Sequence, residues 1–357
     1  MTALLEVADV RKYFPVGRRR LFGAAPPSLR AVDGVSLSVE RGETLGLVGE
    51  TGCGKSTLAR CMTRLYDLTA GRVTFDGTDI STLSRTEMRP LRREMQVMFQ
   101  DPYGSLNPRR RVGSIIGDPF AIHDVADGEE RKRKVQELME LVGLNPEHYN
   151  RFPAEFSGGQ RQRIGIARAL ALKPKLVVCD EPVSALDVSI QAQIINLLAE
   201  LQDQLQLTYV FITHDLSVVR HVSDRIAVMY LGKIVEVAAT EDLHEHTRHP
   251  YTRALLSAVP VADPDALAGR ERVVLRGDLP SPAAPPSGCR FHPRCPKARE
   301  RCLTDDPELV EQASGHHVAC HFPLADGELL SLSRPAIDDV APDLSFDPTS
   351  AEEGTMP

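Results

Sequence analysis

Short apolar runs, each ending in a polar or glycine-rich tip, recur along the first two thirds of the chain. Leu45, Leu47 and Val48 make up a run that predicts a buried strand. Gly49-Glu50-Thr51-Gly52-Cys53-Gly54-Lys55-Ser56-Thr57 follows directly, and Leu58, Cys61, Met62 and Leu65 then recur at helical spacing. The segment therefore reads strand, glycine-rich turn, helix. Met95-Gln96-Val97-Met98-Phe99 ends at Gln100, Leu176-Val177-Val178-Cys179 ends at Asp180-Glu181, and Tyr209-Val210-Phe211-Ile212-Thr213 ends at His214. Leu4–Val10, Ala31–Val39 and Gly71–Gly77 also read as strands, the first running into Tyr13 and Phe14. Between 103 and 155 the chain is mixed and helical, with Val135, Leu138, Met139 and Val142 on one stripe, most simply core.

Composition narrows the function classes. The 357 residues fit one large or two medium domains. No run of about 18 apolar residues exists, and Met1-Thr2-Ala3-Leu4 does not open a signal peptide, so a soluble cytosolic chain is expected. A net charge of −7 argues against broad nucleic-acid binding. Seven cysteines in such a chain point to thiols or metal ligands rather than disulfides. Gly17 to Arg30 carries Arg18-Arg19-Arg20 and Pro26-Pro27 and reads as an inserted loop; a solvated hairpin is the simpler expectation, contact with anionic headgroups the other.

The glycine-rich turn matches G-x-x-x-x-G-K-[ST], the loop that cradles nucleoside-triphosphate phosphates. Its glycines let successive N–H groups point inward, and the helix opening near Lys55 adds the positive end of its dipole. Lys55 can reach the β- and γ-phosphates, and the Ser56 hydroxyl can ligate Mg²⁺. Asp180 at a strand's carboxyl end is the Mg²⁺ partner such a loop needs, and Glu181 is placed to take a proton from attacking water. Ser157 is a natural N-cap, with Gly158 and Gly159 allowing close backbone approach to an anion and Gln160 following them. Gln100 and His214, polar tips of apolar strands, are candidate sensors at the same edge. An aromatic such as Tyr13 or Phe14 can stack on a base or serve as core; the strand alone leaves both open.

Taken together, Gly49–Thr57, Gln100, Ser157-Gly158-Gly159-Gln160, Asp180-Glu181, Ser184–Asp187 and His214 resemble, in order and spacing, the ATP-binding subunits of ABC transporters over about residues 1–250. Phe156 stands where many members have Leu. Phe99-Gln100-Asp101-Pro102, Ser105–Arg109, Pro182–Gln193, His249-Pro250-Tyr251-Thr252 and Leu279-Pro280-Ser281-Pro282 look like the oligopeptide/dipeptide branch, which also includes nickel importers. The resemblance implies an α/β fold: a P-loop NTPase core with an antiparallel β subdomain and a helical signature subdomain at about 101–165. A C-terminal extension at 251–324 and a disordered acidic tail at 325–357 complete the expected organisation. It also implies that Tyr13 or Phe14 stacks on adenine and that Lys55, Ser56, Thr57, Gln100 and Asp180 hold phosphates and Mg²⁺. Glu181 would then polarise water, His214 contact the γ-phosphate, and Ser157 and Gly159 complete a second subunit's site. The implied assembly is a head-to-tail dimer with a paralogous ATPase, this chain being the second of the pair. It would sit on two membrane permease subunits at the cytoplasmic face of the cell membrane, fed by a solute-binding protein. DNA-repair and translation ABC ATPases are the alternative outside transport. Repair members carry a long coiled coil where this chain has only about 100 residues without sustained heptads between Thr57 and Ser157, and the single phosphate loop does not match the two-domain translation members.

Cys289, Cys295, Cys302 and Cys320 are spaced C-x5-C-x6-C-x17-C after a Pro/Ala-rich linker. Structural zinc favours tighter pairs, whereas iron–sulfur clusters tolerate irregular spacing. The pattern is similar to the branch's C-terminal extension, some members of which carry a [4Fe–4S] cluster; zinc, with His292 or His317, and free thiols are the alternatives. Cys53, Cys61 and Cys179 read as small hydrophobes or loop residues.

Overall fold

The computed structural model describes residues 3–16, 28–99, 104, 106–259, 273, 275, 277–328 and 330. Two sheets organise them. β1 (Ala3–Pro15), β2 (Ser28–Glu40), β4 (Ala70–Phe75) and β5 (Thr78–Asp79) form an antiparallel sheet in the order β2-β1-β4-β5. The larger sheet runs β11-β12-β10-β9-β3-β8-β7-β6. Its parallel part is β3 (Thr44–Val48), β6 (Met95–Met98), β7 (Leu176–Asp180), β8 (Thr208–Thr213) and β9 (Arg225–Tyr230). β10 (Lys233–Ala239), β11 (Val310–Ala313) and β12 (His316–Val318) continue it antiparallel.

The unbroken apolar runs are explained by burial on both faces. Leu176 and Val178 enter a core with Leu4, Val7 and Phe75 of the small sheet, while Val177 and Cys179 enter a second core with Tyr209, Phe211 and the helical side. Strand register then brings the tips together: Val48 lies beside Thr213, Asp180 beside Ile212 and Met98 beside Cys179. In a parallel sheet this carboxyl edge is where ligands bind.

Ten α-helices accompany the sheets among the described residues. α1 (Lys55–Met62) opens at the expected residue and buries Leu58, Cys61 and Met62. It stops there: Arg64 turns left-handed at φ 51° and Leu65, expected on the same face, is 45% exposed. α2 (Arg85–Glu94) leads into β6 behind a Ser84/Glu87 capping box. α3 (Val112–Ile122), α4 (Gly128–Leu141) and α5 (Gly158–Leu170) pack together, with Val135, Met139 and Val142 buried and Leu138 partly so. α6 (Val188–Leu205) and α7 (Leu216–Val222) flank β8. α8 (Thr240–Glu245), α9 (Pro250–Ala258) and α10 (Glu300–Thr304) lie towards the C-terminus. Among the described residues no helix is long and apolar enough to cross a membrane. Gln100, the basic stretch 17–27 and the tail from 331 on lie outside the described residues.

The C-terminal region is joined to the core sheet. β12 pairs with β10, Glu236 opposite Val318 and Val237 opposite His317. The fully buried His316 bridges Glu236 Oε1 at 2.8 Å and Asp242 Oδ2 at 2.6 Å. Glu236 also accepts the backbone N–H groups of Arg248 and His249, so this buried carboxylate is shared by three segments.

Candidate nucleotide site

β3 ends at Val48 and the chain turns through Gly49–Gly54 into α1. Gly54 caps that helix at φ 113°, where a Cβ would collide with the Ala31 carbonyl oxygen; only glycine fits. Thr51 and Gly52 form the exposed rim, Cys53 is buried, and Ser56 and Thr57 are half-buried. Burial raises the Cys53 thiol's pKa, as suits an inert packing residue. Lys55 is 5% exposed, and its ammonium donates inside the loop to the carbonyls of Gly49 at 2.7 Å and Glu50 at 3.0 Å. The cation is thus already fixed where phosphates would meet it.

Asp180, at the end of β7, accepts a hydrogen bond from Ser56 Oγ at 2.8 Å. Burial, opposed by that bond, pushes its pKa up. A desolvated carboxylate beside a hydroxyl is a hard-oxygen pair short of positive charge, and it fits Mg²⁺. Glu181 sits at φ 49°, its N–H held by the Ile212 carbonyl at 2.9 Å, which turns its side chain to the strand edge. There its Oε1 lies 3.4 Å from Nδ1 of the half-exposed His214. Sequence-distant residues just past the ends of β7 and β8 therefore meet.

Ser157 and Gln160 cap α5 reciprocally, Ser157 Oγ accepting from Gln160 N at 3.3 Å and Gln160 Oε1 from Ser157 N at 3.0 Å. Ser157 is exposed, and Gly159 leaves room for Ile190, whose Cγ2 would stand 2.6 Å from an added Cβ. These residues belong to the helical subdomain and not to the loop edge of β3.

The two aromatics part company. The Tyr13 hydroxyl donates to Asp33 and its ring lies under the Arg30 guanidinium, in a groove shared with Arg290 of the C-terminal region. Phe14 turns the other way, edge-on to Tyr66 with centroids 5.6 Å apart and with the Lys12 ammonium 5.0 Å from its ring centre.

Sequence reading missed the closest neighbours of the phosphate loop. The Glu50 N–H donates to the Tyr251 hydroxyl at 2.9 Å, and its carboxylate takes both Nη groups of Arg294. The His249-Pro250-Tyr251-Thr252 motif was the available signal, although its purpose could not be read from one dimension.

Cys289, Cys295, Cys302 and Cys320 are brought into one neighbourhood. Burial raises Cys289 to about 11 and Cys295 and Cys320 to about 12, and the thiols oppose one another's ionisation. All four are free thiols. They do not close into a ligand set: among the described residues no three or more His, Cys, Asp or Glu side chains are grouped so as to hold a metal ion.

Comparison with known proteins gives the chain's relatives. Residues 32–184 match the family described as ABC transporter, and residues 235–302 match the oligopeptide/dipeptide transporter C-terminal region. The oligopeptide transport ATP-binding protein AppF of Bacillus subtilis (strain 168) is 57% identical over 320 residues, covering 89% of this chain and 97% of that protein. Among solved structures, the dimeric bacterial ABC transporter cassette MJ0796 superposes with a TM-score of 0.59 at 28% identity, covering 66% of this chain and 98% of its own. CbiO1 of Clostridium perfringens, part of the transporter complex cbiONQ, gives 0.59 at 25% identity over 68% and 91%. This chain therefore belongs to the ATP-hydrolysing subunits of ABC transporters, in the branch that carries the oligopeptide/dipeptide transporter C-terminal region.

Proposed function

We propose that this chain energises the import of oligopeptides or dipeptides, coupling ATP hydrolysis at Gly49–Thr57 to movement of membrane permease subunits on the cytoplasmic face of the membrane. The observation that carries the reading is one continuous structure holding both a phosphate loop and the branch's C-terminal region, the latter hydrogen-bonded to the former. In this reading Phe14 is the base platform, because Tyr13 is committed to Asp33. Lys55 and Thr57 hold phosphates, and Ser56, Asp180 and Gln100 hold Mg²⁺, which neutralises phosphate charge. Glu181 takes the proton of the attacking water, and His214 stands beside it towards the γ-phosphate.

Ser157, Gly158, Gly159 and Gln160 complete the site of a paralogous ATPase in a head-to-tail dimer in which this chain is the second member. ATP closes the dimer and hydrolysis reopens it. Two permease subunits and an extracytoplasmic solute-binding protein complete the assembly. The test is reconstitution with those partners: peptide-loaded binding protein should stimulate ATP hydrolysis several-fold, and stimulation by nickel complexes but not peptides would overturn the cargo.

The reading of Cys289, Cys295, Cys302 and Cys320 as a [4Fe–4S] site, with zinc the alternative, rests on the branch resemblance alone, since the four thiols do not close into a ligand set here; no step of the ATP cycle is assigned to it. Iron and sulfide assay of the anaerobically purified protein tests it: about four of each per chain, lost in Cys295→Ser, would establish the cluster. A metal-free chain would leave the thiols as packing groups.

A further inference from the structure

We infer that Arg294 and Arg290, from the segment between Cys289 and Cys295, are positioning residues that hold the phosphate loop in its nucleotide-receiving shape. The inference rests on that loop being the ATP site. Arg294 Nη1 and Nη2 donate to Glu50 Oε2 at 2.8 Å and Oε1 at 3.1 Å, a forked contact inside the loop itself. The arginine side chain is 9% exposed and the glutamate 27%, so the pair is largely shielded from solvent. Arg290 reaches the loop by a second route. Its Nη1 donates to the Leu231 carbonyl at 2.5 Å, its other arm pairs with Asp33, and the adjacent Gly232 N–H donates to the Cys53 carbonyl at 2.8 Å. Glu50 and Cys53 are therefore both tied, directly or through one turn, to the same short C-terminal segment.

What fixes that segment is Phe291, 1% exposed between the two arginines. Its ring lies 5.2 Å from Tyr230, 5.4 Å from Tyr251 and 5.6 Å from His249, centroid to centroid. Tyr251 in turn accepts the Glu50 N–H, so the aromatic cluster and the guanidinium fork grip one loop residue from two sides.

The physical need is clear from the loop's composition. A turn carrying Gly49, Gly52 and Gly54 loses much conformational entropy when ordered, and its N–H groups serve only in one arrangement. A forked, charge-assisted contact supplies direction as well as attraction, which a lysine's point charge does not. If releasing the fork leaves the receptive shape about one tenth populated, apparent nucleotide affinity falls about tenfold.

The experiment is Mg-ATP binding by the full-length chain, measured calorimetrically, for wild type, R294A, R294K, R290A and R301A; Arg301 lies in the same region but pairs at the surface with Asp305. R294A should weaken binding about tenfold, R290A and R294K by less, and R301A not at all. In the reconstituted transporter, R294A should raise KM for ATP while kcat stays within about twofold. ATP affinity in R294A equal to wild type overturns the inference, as does a loss of kcat with KM unchanged. Should R294A fail to fold by circular dichroism, R294K decides: about threefold weaker binding supports the brace, unchanged binding overturns it. Failure of the wild-type chain to bind ATP would instead sink the nucleotide-site reading on which the brace depends.

Discussion

Glu181 is held at a left-handed φ with its backbone anchored on β8, so its carboxylate is presented at a fixed point beside His214. Such a group should act on the reacting water and not on binding. Glu181→Gln is therefore expected to lower phosphate release by the assembled complex by at least about a hundredfold while leaving ATP affinity near wild type. Unchanged turnover would remove the assignment. Asp180 gives a pH signature. Burial raises its pKa above the ordinary 3.8, so the protonated form, which cannot ligand a cation, persists to higher pH than usual. Mg²⁺ dependence of ATP binding should therefore weaken as pH falls through that raised value and recover above it; a pH-independent Mg²⁺ requirement would contradict this. Most of these residues were legible in the sequence because each motif is contiguous and its chemistry local. The Arg294–Glu50 contact was not, since 244 positions separate its partners and each alone is an ordinary surface charge. That Tyr13 is tied to Asp33 was likewise not legible, since twenty positions separate them.

Strands β3, β7 and β8 were equally readable, their double-sided burial leaving continuous apolar runs. β11 and β12 were invisible for the opposite reason: β11 is exposed along its length and β12 has three residues, so neither carries a period. Besides its backbone pairing with β10, a buried charge cluster holds this hairpin. His316 can donate to both Glu236 and Asp242 only when protonated; neutral, it has a single N–H. Burial disfavours the charged ring, but the two carboxylates outweigh it and the pKa lies above the ordinary 6.5. A raised histidine contributes its stabilisation fully below about 6.5 and loses it as pH climbs through the folded value. The nearby His249 does not share this behaviour: burial lowers it to about 4, and its neutral Nδ1 accepts the Tyr251 N–H. His316→Ala, which removes the cationic partner of Glu236 and leaves it only the backbone N–H groups of Arg248 and His249, should cost about 3 kcal/mol near pH 6 in urea unfolding, and less at alkaline pH. A cost that grows with pH would reverse the sign and remove the clamp.

At the scale of the whole molecule, the phosphate loop and the Ser157–Gln160 cap stand on different subdomains, and the chain contains one of each. The cap is exposed and presents a helix N-terminus with its first turn free of acidic residues, and so offers an anion-binding surface. An ATP site that needs both elements must then draw them from two subunits. Ser157→Arg separates this from a purely local role. Losing the cap costs about 1 kcal/mol of helix stability, too little to unfold α5, while the added bulk blocks the surface. This chain's own ATP affinity, measured alone, should stay at the wild-type value because its loop is untouched. Turnover in the assembled transporter should collapse, and the paralogous subunit should fail to co-elute with a Glu181→Gln, Ser157→Arg chain in ATP although it does so with Glu181→Gln alone. If the double variant still co-elutes and Ser157→Arg still turns over, the cap serves only its own helix and the head-to-tail arrangement falls.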